Sequence, residues 1–345
     1  MTDSTTSPRR ASRRRRPDGR RWSGRRKALT AFGVVLALVG ATVGGYALML
    51  TSAYQQNVTT IPDVFPLEAD RPERVEGPAG EAMNILLIGS DTRGELGSSD
   101  IEAVQPSLAD VIMVAHISAD REDVHVMSIP RDSWVEQPNG SMGKINWSFA
   151  SDGAAGLVQT VENLIDVRID HVAAIDFEGF KGMTDALGGV TVNNTTPFRN
   201  GKQNFPAGQV ALDGERALMF VRERAKTGND FTRQAQQQEF LRAVLAKTLS
   251  GQTLADPARV YGLVSSVSPF LAVDGGLTPP AIVAMASELR ELRASDVAFF
   301  TMPNAGSSFV GDQAVVLLDD PTRKFVAESF RNDDLGTLAA AVAAQ

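Results

Sequence analysis

The sequence predicts an α/β or α+β domain with a covered sheet, placed behind a single transmembrane helix. Short apolar runs bounded by turn residues, such as residues 84–88, are typical of buried strands. They alternate with segments of helical spacing, such as residues 154–164 and 177–187, and this alternation favours a sheet covered by helices. Residues 28–50 carry no charge, and as a helix they span roughly 34 Å, which is enough to cross a bilayer core.

The charges around this apolar run predict its orientation. Arg25, Arg26 and Lys27 directly precede it, so the positive-inside rule keeps the N-terminus in the cytoplasm and places the folded part outside the cell membrane. A cleaved signal peptide is the alternative, but the apolar run exceeds the usual length of a signal core. The predicted order is a disordered basic tail (1–27), a single transmembrane helix (28–50), an extracytoplasmic linker (51–82), the folded domain (83–335) and a short tail (336–345).

Composition excludes several classes of site. The 345 residues include no cysteine, which excludes disulfides, thiolate metal sites and cysteine nucleophiles. The net charge of −7 hides an asymmetry, because residues 1–27 hold eleven of the 34 Lys and Arg residues but only two of the 41 Asp and Glu residues. The folded part is therefore strongly acidic, and no nucleic acid is expected as a partner.

Carboxylates and one arginine lie at the ends of the predicted strands. Asp91 follows the first strand, 84–88, and Asp110 opens the second, 111–117. The third strand, 124–129, is followed by Arg131 and Asp132, and the carboxyl ends of strands in α/β sheets bind ligands. The short link over 119–122 predicts a hairpin that places His116 beside His125, with structural packing favoured over a metal site.

Three arginines lie close together between residues 214 and 238. If the apolar run 218–221 continues as a strand, Arg222 and Arg224 share one face of it. A turn over 226–230 and a helix from about 231 to 249 then place Arg233 in the next first turn. Guanidinium groups bind phosphate oxygens in a bidentate fashion, so this group suits a phosphate or diphosphate. An exposed face, salt-bridged through Glu223 and Glu239, is the alternative.

The remaining segments complete the predicted order. Further strands are predicted at 171–175, 190–192, 210–212, 297–301 and 315–318, and further helices at 257–267, 279–292 and 321–330. The small-residue segment 335–345 receives no role.

A series of short motifs, taken in order, resembles the LytR-CpsA-Psr family of cell-wall glycopolymer transferases. The motifs run from residue 83 to about residue 245. They are NILLIGSDTR at 84–93, ADVIMV at 109–114, SIPRDS at 128–133, KIN at 144–146, DFEGF at 176–180, LGGV at 187–190, LDGERAL at 212–218, VRER at 221–224 and DFTR at 230–233. Each motif is weak alone, but the ordered set is specific.

The resemblance implies an α-β-α sandwich with a central mixed sheet. It further implies transfer of a glycan with its phosphate, from a polyprenyl-diphosphate carrier at the outer leaflet to a peptidoglycan hydroxyl. Mg²⁺ or Mn²⁺ is the implied cofactor, pyrophosphatase activity is implied as well, and arabinogalactan is the cargo often found in relatives of similar composition. An apolar tunnel for the lipid is also implied.

The family motifs map onto ten residues here. The implied metal ligands are Asp91 and Asp110. The implied catalytic residues are Arg131, Asp132, Arg222, Arg224 and Arg233. The implied diphosphate-binding residues are Arg93, Lys144 and Gln237. Hard carboxylate ligands suit Mg²⁺, and the arginines would stabilise charge that develops on the phosphate oxygens. Asp132 or Asp230 could orient an arginine or accept the hydroxyl proton.

Two departures from the family pattern leave other functions open. Leu108 and Gln236 occupy positions where the family commonly has arginine, which removes positive charge from the expected site. A non-catalytic scaffold that binds polyprenyl phosphate is therefore one alternative. A membrane-bound transcriptional attenuator is another, although it requires a cytoplasmic body, which the charge placement opposes.

Overall fold

The computed structural model describes residue 45 and residues 48–90, 108–222, 230–248 and 256–344. The chain forms two compact units, Met1–Met49 and Leu50–Gln345, and the second holds the sheet described below. Within the described residues, no helix combines the length and apolar character needed to span a membrane. The predicted transmembrane segment, 28–50, lies almost entirely outside them.

In the described part of the chain, seven strands form the central sheet. They are β1 (Thr59–Ile61), β2 (Met83–Ser90), β3 (Ala109–Ile117), β4 (Val124–Ser128), β7 (His171–Asp176), β12 (Ala272–Asp274) and β13 (Val297–Thr301). Their order across the sheet is β1-β12-β7-β2-β3-β4-β13. The β2–β3, β3–β4 and β7–β12 pairs are antiparallel, whereas β2–β7, β4–β13 and β1–β12 are parallel. The implied mixed sheet is thereby confirmed.

The described residues also form four two-stranded ribbons outside the central sheet. They pair β5 (Trp134–Glu136) with β6 (Met142–Lys144), β8 (Val190–Asn194) with β11 (Gly208–Leu212), β9 (Phe198–Asn200) with β10 (Gln203–Phe205), and β14 (Ser307–Val310) with β15 (Gln313–Val316). The helices are α1 (Ile145–Ile165), α2 (Phe177–Ala186), α3 (Gly214–Val221), α4 (Asp230–Thr248), α5 (Pro257–Val267), α6 (Pro279–Glu288), α7 (Asp320–Arg331) and α8 (Leu335–Ala343).

Helices cover both faces of the sheet because its central strands are apolar on both sides. In β2, Leu86 and Ile88 join a buried cluster with residues of α1, α7 and α8. Ile85 and Leu87 point to the opposite face and pack in a second cluster with residues of α4 and α6. Such continuous apolar runs are expected of strands that are buried on both faces. The result is the implied three-layer α-β-α arrangement.

The histidines of the predicted hairpin are neighbours, as expected. His116 of β3 and His125 of β4 are paired in the register of the two strands. His116 is buried, with Nδ1 2.8 Å from Asn84 Oδ1 and Nε2 2.7 Å from Asp333 Oδ1. These contacts join β2, β3 and the turn between α7 and α8, so His116 has a structural role.

The predicted strand over 218–221 is wrong. Residues 214–221 form α3, and Arg222 is its C-terminal cap. The Asp213 side chain accepts a 2.8 Å hydrogen bond from the Arg216 amide, which caps the first turn. Ala217, Phe220 and Val221 are buried at helical spacing, and this stripe determines the secondary structure of the short apolar run.

The predicted linker and tail both contribute to the folded domain. Within 51–82, β1 pairs in parallel with β12 and adds an edge strand to the central sheet. Val64 is also buried in the main core. At the other end, Leu335 and Leu338 bury the first turns of α8 in the same core. The domain therefore begins before residue 83 and extends beyond residue 335.

Candidate functional site

Four predicted site residues form a row of alternating charge. Asp110 lies at the start of β3, Arg131 and Asp132 follow β4, and Lys144 ends β6. The Arg131 guanidinium donates to the Asp110 carboxylate. Asp132 lies 3.5 Å from Arg131 Nε through one oxygen and 3.0 Å from Lys144 Nζ through the other. We call these four residues the charge row.

Backbone hydrogen bonds hold the charge row from two sides. The amide of Asn146 donates to the Arg131 carbonyl at 3.2 Å, and the amide of Ile145 donates to the Ser133 carbonyl at 2.8 Å. On the other side, the Val316 amide donates to the Asp132 carbonyl at 2.9 Å. The loop after β4 is therefore fixed between the start of α1 and the end of β15. Rigid support of this kind is what positions charged side chains for chemistry.

An apolar cavity opens beside the charge row. It has a volume of about 210 Å³ and lies between strands β2, β3 and β7 and helices α2, α3 and α4. Its walls include Leu87, Met113, Phe180, Leu218 and Phe240. The polar residues of its lining are Asp110, Asp176, Arg222, Arg233 and Gln237. The implied apolar tunnel thus has a counterpart between the sheet and the helices, and Asp110 belongs to both the cavity and the charge row.

The cavity brings together three further predicted residues. Arg222 is exposed, and its Cζ lies 4.2 Å from the centroid of the Phe177 ring, which orients the guanidinium by a cation–π contact. Arg233 is only 5% exposed. Gln237 is also buried, and its Nε2 lies 3.4 Å from the Val221 carbonyl. Glu239, the salt-bridge partner considered in the exposed-face alternative, instead contacts Arg242 and the Asn193 amide.

Several predicted positions lie outside the described residues. These are Asp91, Arg93 and Arg224, together with Glu223 and the side chain of Asp230. Of the two departures, Leu108 accepts a 3.3 Å hydrogen bond from Ser90 Oγ through its carbonyl. Gln236 is 5% exposed, and neither of its amide atoms has a hydrogen-bond partner.

The sequence reasoning missed Asp176 and Phe177. Asp176 ends β7 at the cavity, caps α2 through a 2.6 Å hydrogen bond from the Gly179 amide, and lies one position before the aromatic partner of Arg222. Its position at a strand end, like that of Asp91, is a signal that could have identified it. Ser133 and Asn146 were also missed, and both are buried with a side-chain oxygen that has no hydrogen-bond partner. No sequence pattern indicates such orphaned atoms.

The residues present fit a magnesium or manganese ion that is shared with a substrate. Within the described part of the chain, no group of three or more His, Asp or Glu side chains could hold a metal by itself. Asp110 and Asp176 nevertheless both line the cavity, together with Arg222 and Arg233. Mg²⁺ usually takes one or two carboxylates and completes its shell with water and substrate phosphates. Carboxylates and arginines within one lining are compatible with that mode.

Comparison with known proteins decides the family. The sequence matches the LytR_cpsA_psr family over residues 51–328. The chain belongs to this family. It is 30% identical over 259 residues to the polyisoprenyl-teichoic acid–peptidoglycan teichoic acid transferase TagU of Halalkalibacterium halodurans, which covers 72% of this chain and 82% of TagU. It is 34% identical over 246 residues to the probable cell wall biosynthesis protein LcpB of Corynebacterium glutamicum, covering 69% of this chain and 59% of LcpB.

Solved structures support the same fold. The structure of TagT bound to LI-WTA matches with a TM-score of 0.60 and 21% sequence identity, and the match covers 80% of this chain and 99% of that one. At this identity the likeness concerns the fold alone. The family assignment made from the ordered motifs is confirmed.

Proposed function

We propose that this protein transfers a glycopolymer from a polyprenyl-diphosphate carrier to a peptidoglycan hydroxyl, forming a phosphodiester. One observation carries the proposal. An apolar cavity of about 210 Å³ has Asp110, Arg222 and Arg233 among its few polar lining residues. A polyprenyl diphosphate matches this lining, since its apolar chain suits the apolar walls and its anionic head suits the arginines. The transferase names of relatives such as TagU support the same reaction class.

The reaction exchanges one phosphorus–oxygen bond for another. The acceptor hydroxyl oxygen attacks the phosphorus that carries the glycan, and the bond from that phosphorus to the bridging oxygen breaks. Polyprenyl monophosphate leaves with the electron pair, and the hydroxyl proton passes to a carboxylate, for which Asp230 is a candidate. Asp132 contacts both Arg131 and Lys144, which favours a role in orienting these cations. Attack by water in place of the hydroxyl gives the accessory pyrophosphatase activity.

The arginines supply the electrostatic part of catalysis. Arg131, Arg222 and Arg233, with Arg224 and Arg93 from the segments outside the described residues, neutralise charge on the diphosphate and on the leaving oxygen. Such preorganised stabilisation is the main contribution of a protein to phosphoryl transfer. Asp110 and Asp91 would hold Mg²⁺ or Mn²⁺, which would supply further positive charge at the diphosphate. Lys144 and Gln237 complete the diphosphate-binding set.

The proposal includes a location. Residues 28–50 anchor the chain by a single transmembrane helix, with residues 1–27 in the cytoplasm and the folded domain outside. This topology gives the cavity access to lipid carriers in the outer leaflet. Among glycopolymers, arabinogalactan is the cargo to test first, beside a teichoic acid.

Transfer is measured with the full-length protein in lipid nanodiscs, a radiolabelled glycan on polyprenyl diphosphate, and insoluble peptidoglycan. We expect label to become bound to peptidoglycan, to stay in solution when EDTA removes divalent ions, and to bind again when Mg²⁺ or Mn²⁺ is restored. Asp110→Asn and Arg233→Lys should each lower the rate on the order of 100-fold. Arg290→Lys is the matched control, because Arg290 is exposed and contacts only its own helix end and Glu291.

Two outcomes would overturn parts of the proposal. Donor binding without transfer or hydrolysis to polyprenyl monophosphate, at any divalent ion concentration, would make the protein a polyprenyl-phosphate-binding scaffold. A C-terminal tag that resists protease in intact cells would place the domain in the cytoplasm, as the attenuator alternative requires.

A further inference from the structure

We infer that Trp134 and Trp147 form a subsite for a pyranose ring of the acceptor glycan strand. This inference rests on the proposed function, since it identifies where the second substrate binds. The two indoles lie beside the charge row and are partly open to solvent, and neither lines the apolar cavity.

The two indoles form one continuous aromatic surface. Trp134 begins β5 and Trp147 lies in the first turn of α1, and their ring centroids are 6.0 Å apart at an interplanar angle of 78°. This edge-to-face arrangement is a favourable one for aromatic pairs and fixes both rings. Trp147 is 37% exposed and neighbouring Met142 is 50% exposed. A large, rigid apolar surface on an otherwise polar loop region is unusual and marks a binding site.

The hairpin beneath Trp147 is shaped to receive its ring. A side chain at Gly143 would place a Cβ only 2.9 Å from Cε3 of Trp147. The absence of a side chain at this position of β6 therefore lets the indole lie directly against the backbone of the hairpin. The ring is held by local packing, so little conformational entropy is lost when a ligand stacks on it.

The aromatic surface is continuous with the proposed transfer site. Trp134 is the cross-strand partner of Lys144, and Lys144 Nζ contacts Asp132 Oδ1 at 3.0 Å. The charge row leads from the cavity at Asp110 through Arg131 and Asp132 to Lys144, which is the end that meets Trp134. The carrier lipid fills the cavity end, so the opposite end is open to the molecule that receives the glycan.

The chemistry around the indoles favours a sugar over a lipid. A pyranose ring has an apolar face of C–H groups and a rim of hydroxyls. The indole faces can stack on the apolar face of the sugar. Lys144 and Glu136 lie on the same face of the ribbon as Trp134, and their charged groups can form hydrogen bonds with the sugar hydroxyls. The alternating amino sugars of a peptidoglycan strand present such faces repeatedly. A purely aliphatic chain would leave these charged neighbours unsatisfied.

The test compares full-length wild type with Trp147→Ala, Trp147→Phe and Phe325→Ala in nanodiscs. Phe325 is the matched control, since it is also 37% exposed and lies on α7. Soluble, lipid-free peptidoglycan glycan strands serve as the probe, and binding is followed by calorimetry. Wild type should bind them, Trp147→Ala should weaken the dissociation constant about 5- to 10-fold, and Trp147→Phe should retain most of the affinity. Phe325→Ala should match wild type.

Kinetics provide a second readout. In the transfer assay, Trp147→Ala should raise the KM for the acceptor about 5- to 10-fold and leave the donor KM and the acceptor-independent hydrolysis of the donor to polyprenyl monophosphate unchanged. If wild type transfers nothing but binds the strands in a Trp147-dependent way, the subsite stands and the proposed reaction falls.

Other outcomes overturn the subsite. Equal glycan binding by wild type and Trp147→Ala would exclude it. A raised donor KM with an unchanged acceptor KM would assign the indoles to the donor polymer. Loss of binding to protein-free phosphatidylglycerol vesicles in Trp147→Ala, with glycan binding intact, would assign them to a lipid surface.

Discussion

Two groups of charged residues in this fold have similar chemistry and different surroundings. Glu162 of α1 is fully buried and accepts hydrogen bonds from Arg71 Nε, from Arg71 Nη2 at 2.5 Å and from the Ile169 amide at 2.8 Å. Arg71 also donates to the Ile169 carbonyl and lies 4.9 Å from the Phe65 ring centroid. In the charge row, by contrast, each side chain stays 14% to 20% exposed.

The difference separates a structural ion pair from a functional one. The Arg71–Glu162 pair is closed, because protein groups satisfy both partners, Glu162 is fully buried and the Arg71 side chain is 11% exposed. The charge row is open, because its members alternate in sign along a line from the cavity to the tryptophans and keep a face available to a ligand. Burial and hydrogen-bond satisfaction therefore identify the candidate site better than charge alone.

The largest effect expected is on the closed pair. Glu162→Gln removes the charge that compensates Arg71 and should lower the free energy of unfolding by about 3 kcal/mol or more, since one partner of a buried pair is left uncompensated. Denaturant unfolding followed by circular dichroism measures this. Glu68→Gln is the control, because Glu68 pairs with Arg168 at the exposed surface and its loss should change stability little.

The same comparison is sharpened by removing both partners. The double variant Arg71→Leu with Glu162→Leu should recover much of the lost stability, because apolar groups of similar size can replace a buried pair at little cost. If Glu162→Gln unfolds with wild-type stability, the closed pair is not structural and the distinction drawn from burial is wrong.

The open row should behave in the opposite way. Arg131→Lys keeps the positive charge but loses the planar fork, so the transfer rate should fall on the order of 100-fold while the free energy of unfolding changes by less than about 1 kcal/mol. Single-turnover transfer and denaturant unfolding are measured on the same preparation. Arg121→Lys is the control, because Arg121 pairs with Glu288 away from the site. A stability loss as large as that of Glu162→Gln would place Arg131 in the structural class.

How much of this could be predicted from the sequence differs between the two regions. Asp110, Arg131 and Asp132 follow or begin apolar strands whose predicted boundaries are close to those observed. Lys144 comes from the family motif alone, since the strand that it ends was not predicted. The Arg71–Glu162 pair was not identified, since residue 71 fell within a predicted linker and nothing local to either residue indicates a contact across 91 positions. Long-range burial has no signature in a single sequence.

The segment before Arg222 shows a second limit of predicting structure from the sequence. The four apolar residues at 218–221 suit a strand or one turn of a helix equally well. The Asp213 cap is a local signal for a helix. The buried stripe at Ala217, Phe220 and Val221 also decides for a helix, and it depends on contacts with α2 and α4 that form only in the fold. Arg222 still reaches the cavity, but from a helix C-terminus and over the Phe177 ring.

A third ion pair, between His171 and Asp274, is intermediate in burial between the closed pair and the charge row. Its loss should give the smallest of the three expected effects, a small change in the free energy of unfolding. His171 Nδ1 is 3.2 Å from Asp274 Oδ2, and His171 is partly exposed while Asp274 is buried. The hydrogen bond that His171 donates to Asp274 raises the pKa of His171 against the opposing effect of burial. Burial alone would raise the pKa of Asp274, but hydrogen bonds from His171 and from the Val172 and Gly276 amides hold it below its ordinary value.

These directions fix the pH range in which the pair stabilises the fold. A raised histidine pKa gives stability that is complete below its ordinary value of 6.5 and is lost as pH rises through the folded-state pKa. A lowered aspartate pKa gives stability that is present above its ordinary value of 3.8 and is lost in acid.

The difference in unfolding free energy between wild type and His171→Gln should therefore be largest near pH 5 to 6, at about 1 kcal/mol, and shrink toward pH 9. His125, whose pKa burial lowers, is present in both proteins, so its contribution cancels in this difference. A difference that grows with pH would mean that His171 is held neutral, and the pair would then belong with neither the closed nor the open class.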